Sequence, residues 1–444
     1  MDNLVQKVRR AGVVGAGGAG FPAYVKIAAP AQVLIANGAE CEPLLYKDQT
    51  VIQQFSGRLL HGMQLLMEHT GARAGVVALK KKHQVSIDHL RSRLPDNIEL
   101  KIMPDVYPAG DEYEIVYEVT GKRIPAGGLP RDVGVLVHNV ETIVNIDRAA
   151  EGSPVTHTMV TVQGEVERPF TAWLPIGMTY ADILALAGAV TCDEPVIIEG
   201  GAMMGAVERD FARSVTSVSS ALLVLPQDAH VLSRRAEPEP AFRRIGKSAC
   251  DQCTLCTEMC PRYLLGYPIQ PHLVMRSLLT SGAISQTLSL HAQACCECNI
   301  CTMWACPEQL NPRDVCVTTK RDLKAQGLWQ SADHLQAQTR PVHSMREYRG
   351  VPTSRLTRRL GLEKYDQHTA LWRDVAVVPA RVTIPLRPRM GTVAEPVVKV
   401  GDAVSAGTVI ADVPDDALGV PVHASISGTV SSIGDCIDIH SNGN

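Results

Sequence analysis

The sequence predicts a multidomain α/β plus α+β chain that ends in an all-β barrel, and three patterns carry that expectation. Glycine-rich turns alternate with β-branched runs through residues 1–150, the mark of a layered, largely parallel sheet. Two cysteine runs fall together between residues 250 and 306. Short strands joined by Gly-Asp and Ser-Gly turns fill residues 376–444, as in a flattened barrel. A chain of 444 residues has room for roughly three or four domains.

Taken in order, the runs 32–36, 75–79 and 133–137 read as strands, and residues 50–68 carry helical apolar spacing. Residues 155–235 change character. The run 158–162 alternates, 180–187 reads as a helix stopped by Gly188, and 195–199 reads as a strand before Gly200-Gly201. Residues 236–248 read as a proline- and charge-rich linker. The cysteine module covers 245–325, with helices between and after its motifs. Residues 326–375 are polar, basic and weakly periodic, as expected of a packed linker. The half-motifs 397–404 and 421–430 then build the barrel of residues 376–444.

Lys plus Arg number 43 against 46 Asp plus Glu, so no basic surface for nucleic acid is expected. The opening MDNLVQKVRR lacks the apolar core of a signal peptide. No apolar run approaches the roughly 18 residues that span a bilayer. A soluble intracellular protein is expected, and 13 cysteines in a reducing compartment favour metal binding over cross-links.

Cys250, Cys253, Cys256 and Cys260-Pro261 follow the C-x2-C-x2-C-x3-C-P spacing of bacterial two-cluster ferredoxins. Cys295, Cys298, Cys301 and Cys306-Pro307 repeat it with one extra residue before the last cysteine. Three cysteines two apart wrap one cubane, and the cysteine before proline ligates the other cluster. Cluster one is therefore expected on Cys250, Cys253, Cys256 and Cys306, and cluster two on Cys295, Cys298, Cys301 and Cys260. Zinc is the competing reading, but zinc sites use two cysteine pairs rather than three evenly spaced thiolates plus a Cys-Pro. Cys296 is left over and competes with Cys295. Two [4Fe–4S] clusters imply one-electron chemistry.

Gly15-Ala16-Gly17-Gly18-Ala19-Gly20-Phe21-Pro22 is a loop whose backbone can approach an anion or a flat ring. Its spacing is not that of G-x-G-x-x-G. Three further stretches follow expected strands: Asn37-Gly38-Ala39-Glu40-Cys41-Glu42-Pro43, Tyr107-Pro108-Ala109-Gly110-Asp111-Glu112 and His138-Asn139-Val140-Glu141-Thr142. In open α/β sheets ligands gather at such strand ends. Glu40 and Glu42 taken singly read as turn carboxylates, and His83, His138 and His157 as structural histidines.

Together these four stretches resemble the flavoprotein subunit of respiratory complex I, and more closely the RnfC component of the Rnf electron-transport complex. The resemblance covers nearly the whole chain. It implies a Rossmann-like FMN/NADH domain over 1–150, a soluble-ligand-binding (SLBB-type) β-grasp domain over 155–235 through Gly200-Gly201-Ala202-Met203-Met204-Gly205, and a ferredoxin-type module. It also implies that Gly15, Gly17, Gly18, Gly20 and Lys26 line the FMN phosphate and ribityl chain, that Asn37, Glu40, Asn139 and Thr142 bound the flavin, and that Phe21, Glu42, Tyr107 and Glu112 meet NADH. Ala16 and Ala39 stand where complex I has arginine and aspartate, so those two contacts do not carry over.

The barrel resembles lipoyl and biotinyl carriers, yet the turn around Asp415-Asp416-Ala417-Leu418 lacks their lysine, so no swinging arm is expected. RnfC is expected to carry this barrel first; here it comes last. That order resembles a soluble branch of the family that reduces corrinoids inside bacterial microcompartments. It implies a path from NADH through FMN and two clusters to a corrinoid, with an adenosyltransferase and shell proteins as candidate partners. Two alternatives stand beside it: the input subunit of an Rnf-type membrane complex, and a non-enzymatic electron-wiring module.

Overall fold

The computed structural model describes residues 3–235, 237–387 and 389–442. Its first layer is the strands β1 (Val33–Gly38), β2 (Ala74–Lys80), β3 (Ile98–Met103) and β5 (Val135–Asn139), in the order β3-β2-β1-β5, all parallel. β4 (Val106–Tyr107) stands apart from it. Leu34, Ile35 and Ala36 of β1 are all fully buried, as expected for a strand covered on both faces. The cover comes from α1 (Leu4–Arg10), α2 (Ala23–Ile27), α3 (Lys47–Thr70), α4 (Gln84–Arg91), α5 (Glu112–Thr120) and α6 (Val140–Ala150). α3 and α6 cross closely at Gly62, where a Cβ would stand 2.8 Å from the Ile143 carbonyl oxygen.

The second unit is a mixed sheet, β7-β6-β10-β8-β9, from β6 (His157–Gly164), β7 (Phe170–Pro175), β8 (Pro195–Glu199), β9 (Ala206–Glu208) and β10 (Ala221–Pro226). Its central pair β6/β10 is parallel and the rest antiparallel. α7 (Tyr180–Leu186) packs on it, started by Thr179, whose hydroxyl accepts from the Asp182 amide.

The expected linker at 236–248 is corrected by the structure: Glu239–Ala249 is a helix. Pro238 and Pro240 sit at its cap and first turn, where a helix tolerates proline. Phe242 and Gly246, four residues apart, then bury one face. This helix joins Pro271–Ser277 and Pro312–Ala325 around Val274, Met275, Val315 and Cys316.

Residues 326–375 fold back over the first layer. β11 (Val351–Pro352) pairs antiparallel with β4, and the following helix Thr353–Arg359 brings Leu356 into a core with Tyr107, Met203 and Cys298. The barrel is two small sheets. One contains β12 (Arg381–Pro385), β14 (Ala403–Val404), β17 (Gly428–Ile433) and β18 (Cys436–Ser441); the other contains β13 (Glu395–Pro396), β15 (Val409–Asp412) and β16 (Val422–His423). No helix among the described residues is long and apolar enough to cross a membrane.

Candidate functional site

The order β3-β2-β1-β5 makes the crevice between β1 and β5 a topological switch point, where α/β sheets bind ligands. The glycine loop lies there. Gly15 donates to the Phe21 carbonyl at 2.9 Å and Gly20 to the Gly15 carbonyl at 3.2 Å, closing the loop on itself. Thr142 accepts from the Ala16 amide at 2.9 Å, and the Lys47 ammonium donates to the Ala16 carbonyl at 3.0 Å. Among the described residues, the amides of Gly17, Gly18 and Ala19 donate to no protein acceptor. Gly18 adopts φ +99°, with no atom within 4 Å of where its Cβ would be. Unpaired amides beside the open space at Gly18 fit a phosphate or a flat ring, so these residues are compatible with a flavin mononucleotide.

The neighbouring polar groups are held rather than loose. Asn37 donates to the Gly110 carbonyl at 2.9 Å and accepts from the Ala39 amide at 3.1 Å. Asn139 caps α6 by accepting from the Glu141 amide and donates to Asp48 at 2.9 Å. Glu40 accepts from the Glu42 amide at 2.9 Å. Burial pushes the carboxyls of both Glu40 and Asp48 above the usual range. Lys26 pairs with Glu112 at 2.5 Å, which joins a residue expected at the flavin phosphate to one expected at NADH. Phe21 is half-buried beside the loop.

Two further expected NADH contacts also have protein partners in the structure. The Glu42 carboxylate accepts from the amides of Met203 and Met204, at 2.8 and 2.9 Å. It therefore pins the turn after β8 to the first layer, and burial raises it to about 7. Tyr107 is 2% exposed, and its hydroxyl donates to the Cys298 carbonyl at 2.7 Å.

Cys250, Cys253, Cys256 and Cys306 rim one pocket. Cys260, Cys295, Cys296, Cys298 and Cys301 rim a second. Each crossed set of four thus shares a pocket, with the fourth cysteine supplied by the other run. Among the described residues no three His, Cys, Asp or Glu side chains converge on a single metal ion; a cubane instead spreads its thiolates over separate irons. The two loops also share a backbone. Gln252 and Thr254 have φ of +58° and +67°, and Glu297 and Asn299 have +62° and +69°. These left-handed residues, uncommon outside glycine, flank Cys253 in one loop and Cys298 in the other. The register that superposes them sets Cys250 on Cys295 and leaves Cys296 between ligand positions.

One loop joins the two regions. Residues 107–112 reach the strand ends through Gly110 and Glu112, and the second cysteine pocket through Tyr107 and through Asp111, which pairs with Arg262 at 2.8 Å. Arg262 stacks 3.5 Å from the Tyr113 ring centroid and follows Cys260-Pro261.

Sequence reasoning missed Lys47, Asp48 and Arg262. Lys47 carried one signal: a cation in the first turn of a helix opposes the macrodipole, so it must be needed elsewhere.

Four family descriptions match the chain in succession: a Nuo51 FMN-binding domain over residues 8–148, an SLBB domain over 159–207, a 4Fe-4S dicluster domain over 249–311 and an RnfC barrel sandwich hybrid domain over 369–444. Among solved structures, an NAD+-reducing [NiFe]-hydrogenase in its H2-reduced state is similar at TM-score 0.49 and 21% identity, covering 76% of this chain and 63% of that one. Cobalamin reductase PduS of Salmonella typhimurium is 44% identical over 97% of this chain and 95% of its own. The Citrobacter freundii protein of the same name is 43% identical over the same shares. A relationship of that extent, through all four domains, makes this chain a member of the cobalamin reductase PduS family.

Proposed function

We propose that the chain takes electrons from NADH at the β1/β5 crevice and delivers them singly, through two cysteine-held clusters, to a corrinoid, reducing cob(III)alamin to cob(II)alamin and on to cob(I)alamin in support of 1,2-propanediol degradation. The carrying observation is the loop 107–112, which hydrogen-bonds to the strand ends and to the second cysteine pocket alike. Bound FMN supplies the exchange between hydride transfer and single-electron transfer, and each [4Fe–4S] cluster carries one electron.

The chain's own residues bind and orient. Gly17, Gly18 and Ala19 offer their free amides to the flavin phosphate or ring, with Gly15, Gly20 and Lys26 around them. Thr142 acts through the Ala16 amide, and Asn37, Glu40 and Asn139 bound the strand-end side. Phe21 remains open to a nucleotide, and Glu112 is partly exposed while held by its ion pair with Lys26. Glu42 and Tyr107 serve this reading as positioning residues for the Met203–Met204 turn and the second cluster loop. The ligand sets are Cys250, Cys253, Cys256 and Cys306, and Cys260, Cys295, Cys298 and Cys301. The matched backbone of the two loops supports that register over one using Cys296. By family resemblance, the first domain is Rossmann-like, the second β-grasp and the last lipoyl-like. Our reading sets the protein in the cytoplasm, within a bacterial microcompartment, beside an adenosyltransferase and shell proteins; the family resemblance supports it.

The test is purification without air, followed by NADH addition with and without hydroxocobalamin. NADH should bleach the flavin absorbance, and cobalamin should then gain the cob(II)alamin spectrum. A flavin that dithionite bleaches and NADH does not would remove NADH as donor.

A further inference from the structure

The segment from Cys260 to Pro271 has two faces. Cys260, Pro261, Ile269 and Pro271 line the second cysteine pocket. Tyr263, Gly266, Tyr267, Pro268 and Gln270 line a different cavity, of about 420 Å³, on the other side. The opposite wall is His291 and the stretch from Gln338 to His343. That wall is fastened in place. Arg340 donates its amide to the Gly266 carbonyl and His343 its amide to the Leu264 carbonyl, both at 2.8 Å. The Tyr263 and His343 rings lie 5.7 Å apart. Tyr267 is anchored through its hydroxyl to the Ile124 carbonyl at 2.7 Å.

The walls are built, but their polar groups are spare. Among the described residues, the side chains of Gln270, His291, Gln338 and Arg340 and the Tyr263 hydroxyl make no hydrogen bond. No carboxylate lines the cavity. Its size falls within the range of small-molecule sites, and its lining joins aromatic faces to several amide-compatible donors and one cation.

We infer that this cavity receives the corrinoid acceptor. The inference rests on the reading of a corrinoid as the electron acceptor. A corrinoid presents a flat ring rimmed by primary carboxamides, which both donate and accept, and a tail with an anionic phosphodiester. Tyr263 offers a stacking face, the two glutamines match carboxamides, and Arg340 matches the phosphodiester. The cavity takes one edge of this large ligand, and Gln338 and Arg340 at the exposed rim meet what projects. A corrinoid seated there is separated from Cys260 by the thickness of one chain segment.

The test is binding without turnover: hydroxocobalamin titrated into the anaerobic holoprotein, with free ligand measured by absorbance after equilibrium dialysis. Gln338→Leu/Arg340→Leu alters exposed side chains that have no protein partner, so folding is not at issue; flavin and iron contents check it. This variant should bind about tenfold or more weakly, and Tyr263→Ala should weaken binding too. If the parent protein binds hydroxocobalamin and both variants bind it equally well, the cavity is not the site. If the parent itself binds none, the corrinoid reading falls, which is a different failure.

Discussion

The Lys47 ammonium stands 2.9 Å from the Glu141 carboxylate, with both side chains essentially sealed from solvent. The same ammonium donates to the carbonyls of Ala16 and Ser219, so one cation ties the glycine loop, α6 and the approach to β10 together. Removing one partner of a buried pair strands the other charge, at a cost of about 3–5 kcal/mol. Lys47→Met should lower the unfolding temperature markedly and release flavin. Lys47→Met/Glu141→Leu should recover much of the stability but not the flavin, because the Ala16 carbonyl still lacks its donor. Full flavin in both variants would mean that the loop holds its shape unaided.

The cysteine register is open to a direct count. Protein prepared without air should contain about eight iron and about eight acid-labile sulfide per chain, from two cubanes. Cys298→Ala should lose one cluster's paramagnetic signal on reduction, and Cys296→Ala should keep both. The reverse pattern would shift the second ligand set by one residue.

Gly18 tests the flavin loop. Its φ of +99° is one that a side chain resists, while the space beside it is empty of protein. Gly18→Val should therefore give a folded chain with its iron intact and its FMN missing. Normal flavin content would place the cofactor elsewhere.

Glu42 predicts a pH dependence. Burial holds its carboxyl at about 7, against an ordinary 4.5. An unfolded chain releases that proton first, so the folded state loses stability as pH rises from about 4.5 to about 7 and carries no such loss below. The span corresponds to about 3 kcal/mol. Glu42→Gln removes the titration and leaves one acceptor for two amides. Its unfolding temperature should be lower at pH 5 and should fall less than the parent's between pH 5 and 7.5, while flavin stays bound. Parallel curves would mean that Glu42 is ionised throughout.

The parts legible in the sequence are those whose chemistry is local. Cysteines two residues apart and glycines within one loop announce themselves by spacing, and strands such as Pro195–Glu199 by apolar runs. What the sequence hid was pairing across distance. Nothing near Tyr107 in the chain says that its hydroxyl meets Cys298, and nothing near Glu42 names the amides of Met203 and Met204. The helix Glu239–Ala249 was hidden for another reason: prolines that usually end helices here begin one.

Arg389 donates to the Gly18 carbonyl at 2.8 Å, across 371 positions of chain. Synthesis runs in one direction, and earlier domains begin to fold while later ones are still being made. The Gly18 carbonyl therefore waits for its donor while the cysteine module and barrel are translated. A glycine loop fastened only at that stage would secure its flavin last and leave it exchangeable until then. A chain ending before residue 376 should hold its iron yet trade FMN freely with solvent.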